Sequence, residues 1–287
     1  MVLAEKWQDY EIITTGDGYK LERWKDVYLL RPDPQVIWPS SVDMNSYPKL
    51  NAKYVRSSSG GGGWDEIKPI PKEWVINYGE LKFLIKPMGF KHTGLFPEQA
   101  ANWDKMSALI KNAGRPINVL NLFAYTGGAT VACLKAGASV CHVDAAKGMV
   151  ERAGENCRLS GVGEGKVRFI IDDCLKFVQR EIRRGRRYDA IIMDPPSFGR
   201  GPNGETWKIE NELFNLVKTC VEVLSDNPLF FLINSYTTGL QPQVIKNILT
   251  LNLKQFGGEI EAYEVGLPTG DGIALPCGCS GLWKNGK

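Results

Sequence analysis

From residue 118 onward the chain alternates short apolar runs with longer amphipathic stretches. The runs have the length and composition of strands buried on both faces. Asn118-Val119-Leu120-Asn121-Leu122 predicts a first strand, and Ala129 to Gly137, with Ala132, Leu134 and Ala136, predicts the helix after it. Ser139 to Asp144 predicts a second strand, and Ala145-Ala146-Lys147 opens the next helix. Lys166 to Ile171 and Tyr188 to Met193 predict a third and a fourth strand, with a helix from Asp173 to Arg187 between them. Leu229 to Asn234 reads as a fifth strand and Gln241 to Asn252 as a helix. Glu259 to Val265 and a run near Ile273 to Leu275 read as a terminal hairpin. Strands alternating with helices imply an α/β fold on a largely parallel sheet.

Residues 1 to 80 have another texture, rich in Trp, Tyr, Pro and Gly, and read as an N-terminal β-rich domain ahead of the α/β domain at 81–287. Glu11 to Thr15, Tyr19 to Trp24 and Asp26 to Arg31 predict short strands, with Gly16-Asp17-Gly18 as a hairpin signal. Tyr54 to Arg56 and Trp74 to Tyr78 are further candidates, and Ser57 to Gly63 reads as a flexible hairpin tip. Trp24, Trp38, Tyr54, Trp64 and Trp74 could stack on bases as a substrate platform or pack a small β core. Lys82 to Lys86 predicts a strand, and Gly89 to Trp103 leads through Pro97-Glu98 into a helix.

The chemistry gathers at strand ends. The first predicted strand turns through Phe123-Ala124-Tyr125-Thr126-Gly127-Gly128 into its helix. Glycine there lets backbone approach a ligand, and the helix offers free N–H groups. The G-x-G-x-x-G of a dinucleotide site and the Lys-Ser/Thr of a P-loop are both missing, so the turn suits a nucleoside better than a pyrophosphate. Asp144 follows the turn by about 20 residues, where a carboxylate accepts from ribose hydroxyls. As a single Asp before a helix it could equally be an N-cap. Asp172-Asp173-Cys174 ends the third strand, and Asp194-Pro195-Pro196-Ser197-Phe198 the fourth. In a parallel sheet such ends share one crevice.

In order and spacing, Asn121 to Gly128, Asp144, Asp172-Asp173 and Asp194-Pro195-Pro196-Ser197-Phe198 resemble a class I S-adenosylmethionine-dependent methyltransferase. The resemblance covers roughly residues 80 to 287 and is nearest to the branch of bacterial 23S ribosomal RNA methyltransferases of cytosine-C5 type. It implies a Rossmann-like, seven-stranded mixed sheet in the order 3-2-1-4-5-7-6. It implies S-adenosyl-L-methionine as cofactor, with Phe123, Ala124, Tyr125, Thr126, Gly127, Gly128, Asp144, Ala145, Asp172, Asp173, Cys174 and Asp194 around it. Phe96 and Gln99, in a segment similar to the one that crosses the cofactor in this family, would line the same pocket. Asp194, Pro195, Pro196, Ser197 and Phe198 would form the reacting end, with Phe198 stacking on a flipped base.

The implied function is methylation of a ribosomal RNA base. A small-molecule or protein acceptor, or a cofactor-binding assembly role without catalysis, stays open. Net charge of +3 does not announce a polynucleotide binder by itself. Nor does the basic run Arg183-Arg184-Gly185-Arg186-Arg187 decide it, because cations also suit a helix C-terminus. The seven cysteines suggest buried thiols in a reducing, cytoplasmic setting, and with His92 and His142 the only histidines no metal site is expected. No membrane association is expected; a homodimer is one open possibility. Cytosine-C5 chemistry needs a nucleophilic cysteine. The turn after the fifth strand, Asn234 to Gly239, has none, which leaves Cys277 and Cys279 as candidates and direct attack by a base nitrogen as the other route.

Overall fold

The computed structural model describes residues 1–57, 61–89, 91–200 and 206–286. The chain divides into two units: residues 1–101 with 266–277, and residues 102–265 with 278–287.

The first unit carries a five-stranded sheet of Tyr10–Gly16, Tyr19–Trp24, Val27–Pro32, Ala52–Arg56 and Gly62–Glu66, in chain order. The hairpin signal holds: Asp17 and Gly18 both adopt left-handed backbone between the first two strands. Trp74–Tyr78 and Leu81–Ile85 form a separate hairpin. Of the expected tip at 57–63, residues 58–60 lie outside the described residues; its flanks pair as Arg56 with Gly62. Trp24 and Tyr54 are fully buried. The ring N–H groups of Trp38, Trp64 and Trp74 donate to Thr15 Oγ1, Met88 O and Trp24 O. Trp24 and Tyr54 therefore belong to the core of the unit, while Trp38, Trp64 and Trp74 are half-buried. Across the strands, Glu22 accepts from Arg31 (2.5 and 2.7 Å) and from Tyr10 (2.6 Å). Burial alone would raise the Glu22 pKa, but Arg31 and Lys20 hold it near 2.

The second unit is built on β1 (Asn118–Leu122), β2 (Ser139–Asp144), β3 (Val167–Ile171), β4 (Ala190–Met193), β5 (Phe230–Ser235), β6 (Glu259–Pro268) and β7 (Ala274–Lys284). The order is 3-2-1-4-5-7-6, with β1 to β5 parallel and β7 antiparallel to β5, and where seven strands were expected the short strand Val2–Leu3 adds an eighth beyond β6. The far end of the β6–β7 hairpin, residues 266–277, groups with the first unit. Helices α1 (Ala100–Asn112), α2 (Gly128–Lys135), α3 (Lys147–Leu159), α4 (Cys174–Arg183), α5 (Ile209–Val221) and α6 (Pro242–Leu253) connect the strands. The central strands are apolar because both of their faces are covered. One core joins Phe177 and Val178 of α4, Leu213 and Leu216 of α5, and Ile245 and Leu249 of α6 to Leu120, Ile191 and Phe231 of the sheet.

The basic end of α4 turns away from the strand ends that carry the acids. Arg184 and Arg168 both face Glu181, at 3.0 and 3.7 Å, and Glu181 also accepts from Tyr188 at the start of β4 (2.7 Å). Among the described residues, no helix is long and apolar enough to cross a membrane.

Candidate active site

Sheet register brings the acidic positions into line. Leu122 of β1 pairs with Val143 of β2 and with Met193 of β4, and Asp144 pairs with Ile171 of β3. Phe123, Asp144, Asp172 and Asp194 therefore leave the sheet along one carboxyl edge, where an open α/β sheet binds its ligands.

The turn after β1 is strained. Phe123, Tyr125 and Gly127 have φ of 53°, 50° and 82°. Two of these are bulky side chains in the left-handed region, which costs about 1–3 kcal/mol each and survives only where neighbours enforce it. Four hydrogen bonds do so: Phe123 N to Cys174 Sγ (3.3 Å), Ala124 N to Val143 O (3.1 Å), Tyr125 N to Asp144 Oδ2 (2.8 Å) and Gly127 N to Ala124 O (3.0 Å). The glycine pair also makes room for the helices that pack on the turn. A Cβ on Gly127 would lie 2.8 Å from Ala153 Cβ, and one on Gly128 would lie 2.7 Å from the Trp103 ring. Their missing side chains let α3 and α1 close on the turn.

Asp144 is half-buried, and each of its oxygens takes one backbone N–H, from Tyr125 and from Ala146 (both 2.8 Å). It is not the cap of α3; Ala146 is. A fixed carboxylate with lone pairs to spare is what a pair of ribose hydroxyls needs. Ala145, beside it, is exposed. Capping falls instead to Asp173, whose Oδ1 accepts from Lys176 N (2.8 Å). Asp172 is paired with Arg180. Cys174 is buried under the turn, and burial pushes its thiol up to about 12.

Beneath this edge lies a polar group that sequence reasoning passed over. Asn121 donates to Thr130 Oγ1 (2.9 Å), Thr130 Oγ1 meets His142 Nδ1 (2.9 Å), and Asn156 donates to Thr126 O (2.8 Å), all buried. Burial lowers the His142 pKa from 6.5 to about 4. The unfolded chain then takes up the proton first, so stability falls as pH falls. The contribution is complete above pH about 6.5 and is lost at up to ~1.4 kcal/mol per pH unit toward 4. Unfolding midpoints measured between about pH 7 and 5 should drop accordingly, and His142→Asn should flatten the dependence. His92 of the first unit, also lowered to about 4 by burial and nearby cations, leaves a residual slope of the same sign. Identical pH dependence in the variant and the parent would count against this assignment.

The loop after β4 is held from three directions. Ser197 O accepts from Ile209 N at the start of α5 (3.1 Å), Ser197 Oγ meets Thr237 Oγ1 after β5 (2.6 Å), and Pro196 O accepts from Trp207 Nε1 (2.6 Å). Trp207 was not foreseen. Its ring also lies 6.2 Å from that of Phe123, so one side chain touches both the turn after β1 and the loop after β4. Asp194 is half-buried, Pro195 buried, and Phe198 is 51% exposed with the Arg200 guanidinium over its ring at 5.9 Å. Phe123 to Gly128, Asp144, Ala145, Asp172 to Cys174 and Asp194 to Phe198 thus gather at one edge of the second unit. Phe96 and Gln99 belong to the first unit, where Phe96 O accepts from Gln99 N (3.1 Å) around the short 3-10 turn Pro97–Gln99.

Neither candidate cysteine is prepared as a nucleophile. Cys279 is buried, donates to Leu240 O (3.1 Å) and is pushed up to about 11 by burial. Burial, then Glu98, raises Cys277, whose thiol faces Leu275 O (3.5 Å).

A family model described as S-adenosylmethionine-dependent methyltransferase matches residues 45–233. A crystal structure of an S-adenosylmethionine-dependent methyltransferase from Agrobacterium tumefaciens superimposes with a TM-score of 0.91 at 32% identity, covering 99% of this chain and 93% of that one. Ribosomal RNA large subunit methyltransferase K/L of Shewanella frigidimarina is 26% identical over 235 residues, 79% of this chain and 31% of that protein. Ribosomal RNA large subunit methyltransferase K of Neisseria meningitidis serogroup B is 26% identical over 226 residues, 75% of this chain and 63% of that protein. The chain spans less than two thirds of the length of either of these ribosomal RNA relatives.

Proposed function

The chain belongs to the S-adenosylmethionine-dependent methyltransferases, and from that premise we propose that it methylates a base of large-subunit ribosomal RNA by direct displacement. The observation that carries the site is the line of Phe123, Asp144, Asp172 and Asp194 on one carboxyl edge. The choice of acceptor draws support from likeness to the K/L and K enzymes.

The donor set fits S-adenosylmethionine, which when bound supplies an electrophilic methyl group on a sulfonium. Asp144 takes the ribose hydroxyls. The first N–H groups of α4, at Cys174, and the remaining oxygen of Asp173 meet the adenine edge. Phe123 to Gly128 and Asp194 enclose the methionine end. Asp194 faces the attacking nitrogen and accepts its hydrogen bond, Pro195 and Pro196 keep the loop stiff, Ser197 holds it in place through Thr237, and Phe198 stacks on the acceptor base. In-line displacement asks mainly for position, which a loop tied at three points provides. The cysteines favour direct displacement over the cytosine-C5 route, since that route needs a thiolate and burial pushes Cys279 and Cys277 the other way.

The test is methyl incorporation from labelled S-adenosylmethionine into ribosomal RNA from a strain lacking this protein, with nucleoside analysis. A labelled base other than 5-methylcytosine is expected. A labelled 5-methylcytosine would overturn the direct route. No label in RNA, with the cofactor still bound by calorimetry, would move the assignment to another acceptor or to an assembly role.

A further inference from the structure

The sheet of the second unit ends at β3, and the outer edge of that strand has no strand neighbour among the described residues. Val140 N donates to Lys166 O and Asp172 N to Asp144 O, so the even-numbered positions serve β2. By the period of two, the N–H and C=O groups of Val167, Phe169 and Ile171 point outward. Proteins usually blunt such an edge with a bulge, a proline or an inward charge. Here Phe169 is 37% and Ile171 51% exposed. The one charge in the middle, Arg168, is drawn aside toward Glu181 at 3.7 Å.

The two faces of the strand are distinct. Phe169 packs toward Gly154 of α3 and lies 5.4 Å from the His142 ring, which puts Val167, Phe169 and Ile171 on the α3 side. Arg168 faces Glu181 on α4, which puts Lys166, Arg168, Ile170 and Asp172 on the other. Charge runs along the segment from Lys166 and Arg168 at its start to Asp172 and Asp173 at its end.

We propose that this edge is a homodimer interface, with β3 pairing antiparallel to β3 of a second copy about a two-fold axis at Phe169. Three features meet in that register. Phe169 faces its own equivalent and Val167 faces Ile171, so every outward backbone group finds a partner in about six hydrogen bonds. The apolar side chains of both copies merge on one face. Lys166 lies opposite Asp172 of the second copy, twice by symmetry. A parallel pairing would instead set Lys166 beside Lys166 and Asp172 beside Asp172. Self-complementarity of this kind is what an isologous two-fold contact requires and a foreign strand does not. The two sheets become one continuous sheet, joined next to Asp172 and Asp173.

Sedimentation equilibrium of the full chain between about 1 and 100 µM tests this. The parent should dimerise. Ile171→Lys, at an exposed position, should leave a folded monomer by circular dichroism. Lys166→Glu and Asp172→Lys should each weaken self-association about tenfold, because each sets two like charges opposite one another. Mixing those two variants restores opposite charges at both ends, so the mixture should form heterodimers with near-parental affinity. A parent that stays monomeric at the highest concentration overturns the proposal. So does a dimer unmoved by Ile171→Lys, or a mixture of folded single variants that associates no better than either alone.

Discussion

Replacing Asp144 by alanine is expected to weaken S-adenosylmethionine binding about a hundredfold. The carboxylate acts on both of its sides. Toward the ligand it accepts two hydroxyls, each charge-assisted bond contributing about 1.5–3 kcal/mol before desolvation is subtracted; a net of ~2.7 kcal/mol is a factor of about 100. Toward the protein it takes Tyr125 N and Ala146 N. The first of these bonds helps hold Tyr125 at a φ of 50°, so alanine also frees a strained turn to relax out of its binding shape. Asp144→Asn separates the two contributions. It keeps one good acceptor and places an amide donor where the second hydroxyl or N–H would donate, and it should fall between parent and alanine. Titration calorimetry reads the affinities, and thermal unfolding confirms that both variants fold. Unchanged affinity in Asp144→Ala would remove Asp144 from the ribose.

The order of elements was legible because the central strands are buried on both faces, and such strands are written as unbroken apolar runs. The acids at their ends were legible for the same reason: a polar residue directly after such a run marks the sheet edge. What escaped lies where one residue answers to two masters. Strand β7 was read near 273–275 but runs from Ala274 to Lys284, through Pro276, Gly278 and Gly281, which strands ordinarily avoid. The glycines are there for space. A Cβ on Gly281 would lie 2.4 Å from Ile245 of α6, and one on Gly278 would lie 2.7 Å from Ser235 O of the neighbouring strand. Gly127 and Gly128 have a packing role of the same kind, which one sequence does not show, since a glycine for helix approach and a glycine for a ligand look identical there. Asp144 and Asp173 each precede a helix, and only the three-dimensional turn decides that the second one caps. Trp207 gave no signal. Its contacts to Pro196 and Phe123 depend on the small hairpin of Phe198–Arg200 with Thr206–Lys208, a pair of strands too short to show a period.

That hairpin matters for the second large effect. Asp194→Ala should lower methyl transfer at saturating cofactor about a thousandfold while changing cofactor affinity less than tenfold. A carboxylate positioned to take a hydrogen bond or proton from an attacking nitrogen contributes about 10²–10⁴. The contrast between rate and affinity rests on the scaffold around the residue. Pro196 is tied to Trp207, and Ser197 to Ile209 and Thr237. These three bonds run through Pro196 and Ser197, so they remain to hold the loop when the Asp194 carboxylate is gone. Asp194→Asn keeps an acceptor of similar shape without the charge and should recover part of the rate. Trp207→Phe makes the complementary cut: it removes one of the three ties, leaves the carboxylate, and should lower the rate about tenfold, near the worth of one hydrogen bond. Single-turnover rates on the ribosomal RNA identified by labelling, alongside calorimetric cofactor affinities, separate these readings. A tenfold or greater loss of cofactor affinity in Asp194→Ala, with turnover preserved at saturation, would instead place the carboxylate on the methionine ammonium and leave positioning alone to carry the reaction.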